Sequence, residues 1–216
     1  MTVSLQIEMV FSVSSGLHIT GDRAELWTDK SLILDWAESK DPVVPATTIK
    51  GWLRDAAERA LRGMGLPICD SSQPTTICGK CLTCCLFGHP RRQSPLRFSD
   101  AVLADSPRLV KTSVSLSRHR KTAYEERLFS TEIAYPTSLV VTVYGLFPND
   151  EEAKKASAIL WLAGKMGFAI GGARSRGLGW LSLTELKATV DDQIVSEEDL
   201  NLYLIDLTPS TGEATR

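Results

Sequence analysis

The stretch LVVTVYGLFPNDEEAKKASAILWLAGKM, residues 139–166, reads as a strand that runs straight into a helix. β-Branched and aromatic residues crowd 139–147, the composition of a half-buried strand. Asn149 then offers the short polar side chain of an N-cap, and Glu152 stands three residues on, at the capping-box position. The helix this predicts extends to about Met166. Behind it, GFAIGGARSRGLGW (167–180) is a glycine-rich loop that leads into a last strand near 178–187. The loop is not a dinucleotide fingerprint, because it follows a helix and enters a strand, the reverse of that motif's order.

Toward the N-terminus the pattern repeats in looser form. Val3, Leu5, Ile7, Met9, Phe11 and Val13 alternate with period two and predict one long strand with a buried face. Residues 14–46 keep no period and read as a long functional loop. Thr47 or Thr48 can cap a helix whose apolar positions are Ile49, Trp52, Leu53, Ala56, Ala60 and Leu61, ended by Gly63. PLRFSDAVLA (95–104) reads as a further strand. The expected order is β-α-β-β-α-β, an α+β fold of the ferredoxin-like (RRM-like) kind. We read 1–207 as a single domain carrying two additions. One is an insertion at 64–90 that holds all five cysteines, and the other is a polar, projecting hairpin region at 105–137. A flexible tail is expected over 208–216.

Composition narrows the class. The chain has 216 residues, 43% hydrophobic and 23% charged, as in ordinary globular proteins. Hydrophobic runs fall short of the roughly 20 residues that cross a bilayer, so no membrane association is expected. MTVSLQIEMVFSVS lacks the basic start and small-residue cleavage site of a signal peptide, which points to the cytoplasm. A net charge of −2 does not by itself suggest a polyanion partner, but its distribution does. Residues 91–127 carry nine Lys/Arg against four acids, whereas eight acids face Lys187 and Arg216 from Glu185 onward. Nucleic acid would be drawn to the first region and repelled by the second.

Four blocks, in order and spread over most of the chain, resemble the RAMP superfamily of CRISPR proteins, in particular the repeated backbone subunit of type III effectors. VPATTIKGWLR (44–54) is similar to the family's helix entry. CGKCLTCCLFG (78–88) is similar to its C-x-x-C-x-x-C-x-LFG segment, and SVSLSRHRKTAYEERLF (113–129) to its thumb hairpin. GGARSRGLGWL (171–181) is similar to its C-terminal glycine-rich loop. Ala46 replaces the usual Gly of the first block and Ser117 the frequent Asp of the third, departures that bear on subtype. The resemblance implies a subunit that polymerises along a guide RNA, with other copies, paralogues or other effector subunits as partners and a target RNA paired to the guide.

The blocks carry their own chemistry. Thr47, Thr48 and Lys50 stand at a helix N-terminus, where free N–H groups and the helix dipole favour phosphate. Lys50 and Arg54 lie one turn apart. The glycines of the last block, Gly171 and Gly172 among them, allow close backbone approach to a phosphate, with Arg174 and Arg176 supplying charge. In the hairpin, Arg118, Arg120 and Lys121 complete the RNA-binding set. Cys78, Cys81 and Cys84 have metal-ligand spacing, and structural zinc needs a fourth ligand. Cys69 is the natural candidate, with His89 and His18 as alternatives. Cys85 is the odd one out, and disulfides are unexpected in the cytosol.

The resemblance also implies a catalytic loop carboxylate. The family's D-N-P-x-x-x-D precedes the helix entry, and Asp29 to Asp35 keeps the six-residue interval, with Lys30 and Ser31 in place of Asn and Pro. Asp29 is then the residue that cleaves target RNA, a role suited to a carboxylate holding Mg²⁺ near a phosphate. The rival readings are a structural paralogue without cleavage and a metal-independent guide-processing endoribonuclease with a histidine base.

Overall fold

A computed structural model describes residues 2–23, 25–37 and 40–207; the tail expected over 208–216 lies outside them. In chain order the elements are β1 (Val3–Val13), β2 (Val43–Val44), α1 (Ala46–Gly63), α2 (Leu82–Phe87), β3 (Leu96–Phe98), β4 (Ala101–Val102), β5 (Arg108–Leu116) and β6 (Ala123–Ala134). They continue as β7 (Ser138–Phe147), α3 (Asp150–Met166), a 3₁₀ turn (Arg174–Arg176), β8 (Leu181–Val190), β9 (Gln193–Val195) and α4 (Glu197–Leu207). The α+β class expected from the sequence is what the chain adopts. No helix among the described residues is long and apolar enough to cross a membrane.

The main sheet has the order β3-β7-β1-β8-β9, antiparallel at every joint. Leu5, Ile7, Met9 and Phe11 of β1 and Leu139, Val141 and Val143 of β7 point to the same buried side, each at most 2% exposed. That alternation is the period-two pattern seen in the sequence. Helices α1 and α3 pack against each other, and α3 lies on the buried face of the sheet. Gly164 of α3 lies so close to β1 that a Cβ there would push the Met9 methyl aside. Phe11 meets Trp52 edge to face at 5.3 Å between ring centres. Helix α3 is capped as its sequence predicts, with Asn149 Oδ1 accepting the Glu152 N–H at 2.8 Å.

Four features depart from the sequence expectation. Helix α1 begins at Ala46, not after Thr47 or Thr48, and its own residues supply no cap: the Ala46 N–H is taken by the Asp100 carboxylate at 2.6 Å. For the same reason the strand expected over 95–104 is two short strands broken at Ser99–Asp100. The 64–90 segment is not all periphery, since α2 buries Leu86 and Phe87 in the main core and Phe87 stacks on Phe98 at 6.3 Å. After β8 the acidic segment forms β9 and α4, the latter burying Leu200 and Leu204.

Candidate nucleic-acid interface and metal centre

Helix α1 has two working sides. Thr47, Thr48, Gly51 and Asp55 line one, and the glycine-rich loop stands opposite, so that Gly171, Gly172 and Arg174 complete a groove of about 430 Å³. The loop is held there by backbone bonds: Gly172 N–H to His18 O at 2.8 Å, Gly179 N–H to Gly16 O at 2.8 Å, and Ile170 N–H to Gly179 O at 2.9 Å. Two glycines are required by this packing. Gly171 has φ +87° with the His18 carbonyl 2.5 Å from where a Cβ would sit, and Gly179 has φ +73° with no room against Ile170 O. The glycines therefore serve the approach of the protein's own backbone first. Arg174 and Arg176 stay exposed on the 3₁₀ turn and have no ion-pair partner among the described residues.

Lys50 and Arg54 belong to the other side of α1. Lys50 opens onto solvent beside Arg92 and Arg97, and its ammonium is pushed below its ordinary value by burial and then by the Arg54 charge. Arg54 is turned inward: its Nε donates to Glu58 Oε1 at 2.9 Å, one Nη to Gly88 O at 2.9 Å, and the other approaches Cys84 Sγ at 3.9 Å. Glu58 is 4% exposed, and it also takes Arg62 at 3.0 Å and Ser71 Oγ at 2.8 Å. A buried carboxylate is tolerable only when paired and hydrogen-bonded in this way. Their spacing of one turn suggests that Lys50 and Arg54 face one strand of RNA together. In the fold, Arg54 is a strut between α1 and the cysteine segment.

The cysteines do gather. The Sγ atoms of Cys69, Cys78, Cys81 and Cys84 all lie within 4.8 Å of one another, an arrangement that could hold a metal ion. Cys69 is 3.6 Å from Cys81 and 3.4 Å from Cys84. Four thiolates around a tetrahedral ion at about 2.3 Å would stand roughly 3.8 Å apart, so the set has the right size for such an ion. Cys78 Sγ accepts the backbone N–H groups of Lys80 at 3.4 Å and Cys81 at 3.3 Å, bonds that hold its thiol below the ordinary value. Burial pushes Cys84 up to about 12, with Cys69 adding to the rise. Neither histidine alternative belongs to the group of four. His18 is buried at the hairpin base, its Nδ1 against Glu132 O at 2.6 Å and its Nε2 against Thr20 Oγ1 at 2.9 Å. The His89 ring packs over Gly79.

Strands β5 and β6 form a two-stranded sheet of their own, bridged at its base to Leu17 and Lys30 of the 14–46 loop. By strand rise, the turn at 117–122 stands roughly 25–30 Å from the base. Arg118, Arg120 and Lys121 are exposed in that turn, which Ser117 closes by accepting the Arg120 N–H at 3.2 Å. The base is tied to the 14–46 loop. Asp29 Oδ2 accepts the Ser130 N–H at 2.6 Å and the Ser130 Oγ–H at 3.1 Å, while its own N–H donates to Ser130 Oγ. The backbone bond from Ser130, followed by its hydroxyl, holds the Asp29 carboxyl below the ordinary carboxylate value. The Asp29 side chain is otherwise exposed. Asp35 is different in kind: its Oδ1 accepts the Trp36 N–H at 2.8 Å, and its N–H bonds Asp41 O, closing a local turn.

Sequence reasoning missed Asp100, Ser130, Glu58 and Glu132. Glu58 carried a signal, since Arg54 and Arg62 flank it at i±4. Glu132, which accepts the Leu32 N–H at 2.9 Å and the Arg23 guanidinium at 3.2 Å, carried none.

With these features in place, comparison with known proteins is informative. A model of the RAMP superfamily matches residues 35–182, more than half of the chain. The chain belongs to the RAMP superfamily. The matched range takes in this RAMP protein's α1, cysteine segment, ribbon and glycine-rich loop, and begins at Asp35, within the 14–46 loop and past Asp29. Among solved structures, a chain in the cryo-EM structure of the Type III-B Cmr-beta bound to cognate target RNA is similar, with a TM-score of 0.60 and 13% identity. The likeness covers 86% of this chain and 60% of that one, so this chain spans about three-fifths of its neighbour's length. At that identity the neighbour speaks for the fold alone. No curated protein matches the sequence.

Proposed function

We propose that this RAMP protein is an RNA-binding backbone subunit of a type III CRISPR effector, acting in the cytoplasm. Its partners would be guide RNA, target RNA, and other copies, paralogues or other effector subunits. The observation that carries the reading is the groove on one side of α1, where residues distant in sequence, Thr47 and Thr48 with Gly171, Gly172 and Arg174, meet beside unpaired cations. Such a surface suits a phosphate backbone and offers little to read a base sequence. The strand order β3-β7-β1-β8 with α1 and α3 on one face supports a ferredoxin-like core. The neighbour's bound target RNA supports the partner class. Purifying the protein with its native partners should yield short guide RNA and further effector subunits. A protein that elutes alone, free of RNA, would contradict the reading.

For the cysteine cluster we infer structural zinc. All four thiols serve as ligands and leave no open position for chemistry on a metal-bound water. Its effect would be to hold residues 69–84 against α1, with Arg54 bridging the two.

For Asp29 we infer a part in target cleavage. A carboxylate held below its ordinary value stays ionised at neutral pH and is a poor proton acceptor, so its use is charge rather than base catalysis. The Asp29 carboxylate would hold a Mg²⁺ ion, and such an ion would offset charge on the reacting phosphate. The 2′-oxygen bonds to phosphorus, the P–O5′ bond breaks, and the proton lost by the 2′-hydroxyl ends on the departing 5′-oxygen. In assembled complexes, Asp29→Ala should keep target binding and lose Mg²⁺-dependent cleavage. Cleavage at unchanged positions and rates would make this a structural paralogue. That second reading is favoured by the Asp29–Ser130 tie, which gives the residue a structural duty of its own. A histidine-based processing enzyme is less supported, because both ring nitrogens of buried His18 already have partners.

A further inference from the structure

Lys50, Arg92 and Arg97 come from three separate places, α1, the turn after α2, and β3. They converge on one concave surface of about 510 Å³ on the side of α1 away from the glycine-rich loop. No acidic side chain lines it, and none of the three has an ion-pair partner among the described residues. Lys50 is partly buried there, and burial, followed by the Arg54 charge, holds its ammonium below the ordinary value. The backbone fixes the arrangement. Arg54 holds the turn to α1 through Gly88 O, and His89 and Arg92 close it with two reciprocal backbone bonds of 2.9 Å. The surface continues past Gln93, Ser94 and Arg97 into a second hollow along the open face of the sheet. There Tyr144 is 46% exposed, its ring available to a flat partner.

We propose that this junction is a second binding site for the phosphate backbone of single-stranded RNA, with Tyr144 as a stacking platform for an unpaired base. It rests on the RNA-binding reading and extends it to a different face, with Arg92, Arg97 and Tyr144 as residues outside the first groove. Cations supply the attraction without sequence information, and base–aromatic stacking is tolerant of sequence.

The test uses the full chain, an unstructured single-stranded RNA, and inorganic tripolyphosphate as a baseless probe. R92Q/R97Q replaces exposed side chains, so the fold should stand, and circular dichroism checks it. RNA affinity should fall roughly tenfold or more, and the slope of log K against log salt should shrink by about 1.4, two single-strand phosphate contacts. Tyr144→Leu should weaken RNA binding at an unchanged slope and leave tripolyphosphate binding alone. If R92Q/R97Q keeps the wild-type slope while R174Q/R176Q loses it, the second site is wrong and the first groove stands. If wild type binds no RNA but loses tripolyphosphate binding in R92Q/R97Q, the anion site stands and the RNA reading falls. Unchanged binding of both probes in R92Q/R97Q overturns the proposal outright.

Discussion

The main sheet and the β5–β6 ribbon are both antiparallel and both use long strands, yet they bury side chains to opposite degrees. Every second residue of β1 from Leu5 to Phe11 is inaccessible. In β5 no residue is buried, and Leu109, Leu116 and, across the pair, Leu128 are 60–68% exposed. The difference lies in what covers them: α1 and α3 close one face of the sheet, whereas among the described residues the 14–46 loop covers only the base of the ribbon, at Glu132 to Ala134. Two isolated strands are marginal in water. The ribbon is therefore held from its base, by Leu17 pairing with Ala134, by Asp29 on Ser130, and by Arg23 and Arg108 on Glu132. Its apolar residues are dressed for a partner rather than a core, in keeping with a subunit of an assembly.

The comparison can be broken by mutation. Phe11→Ala removes a ring packed on Trp52 and should cost about 3–5 kcal/mol in urea unfolding. Leu109→Ser with Leu128→Ser should stay within about 0.5 kcal/mol of wild type, while weakening assembly with partners. A ribbon variant as damaging as the core variant would mean the ribbon is part of the folding unit. Metal is the next largest effect. Purified protein should contain about one zinc per chain, and Cys81→Ser should lose it and loosen 69–84 while leaving the sheet intact. A metal-free protein with that segment ordered, or a Cys69–Cys78 disulfide, would refute the site.

The smallest effect is one of pH. Hydrogen bonds from Ser130 lower the folded-state pKa of Asp29, so the tie to the ribbon is at full strength above the ordinary value of 3.8 and is lost as pH falls through the lower folded value. The Ser130 amide resonance should shift with a midpoint below 3.8. A midpoint at or above it would mean the bond is not formed in solution. The ordinary neutral range should show no change at this site.

How much was legible in the sequence follows from the same contrast. β1, β7 and α3 announced themselves because burial on one face leaves a period, and because Asn149 caps through its own neighbour. The start of α1 did not, since its cap is Asp100, brought from another strand by the fold. The four cysteines could be chosen by spacing, but setting aside His18 and His89 needed three dimensions. Thr47, Lys50 and Arg54 share one face of α1 by spacing, but the glycine-rich loop packs beside Thr47 and the cysteine segment takes Arg54, so the fold divides them. Glu58 takes both Arg54 and Arg62 and so draws Arg54 inward; the i±4 spacing signals the pairing but not that the carboxylate is buried. Asp29 was located by an interval alone; its attachment to Ser130, 101 residues away, has no sequence signature.

The central claim is that the glycine-rich loop presents unpaired cations to an RNA backbone without reading bases. Wild type and R174Q/R176Q should be titrated with two unrelated single-stranded RNAs of equal length over a range of salt. The account predicts equal weakening for both RNAs and a slope reduced by about 1.4. An unchanged slope, or a loss confined to one of the two sequences, would contradict it.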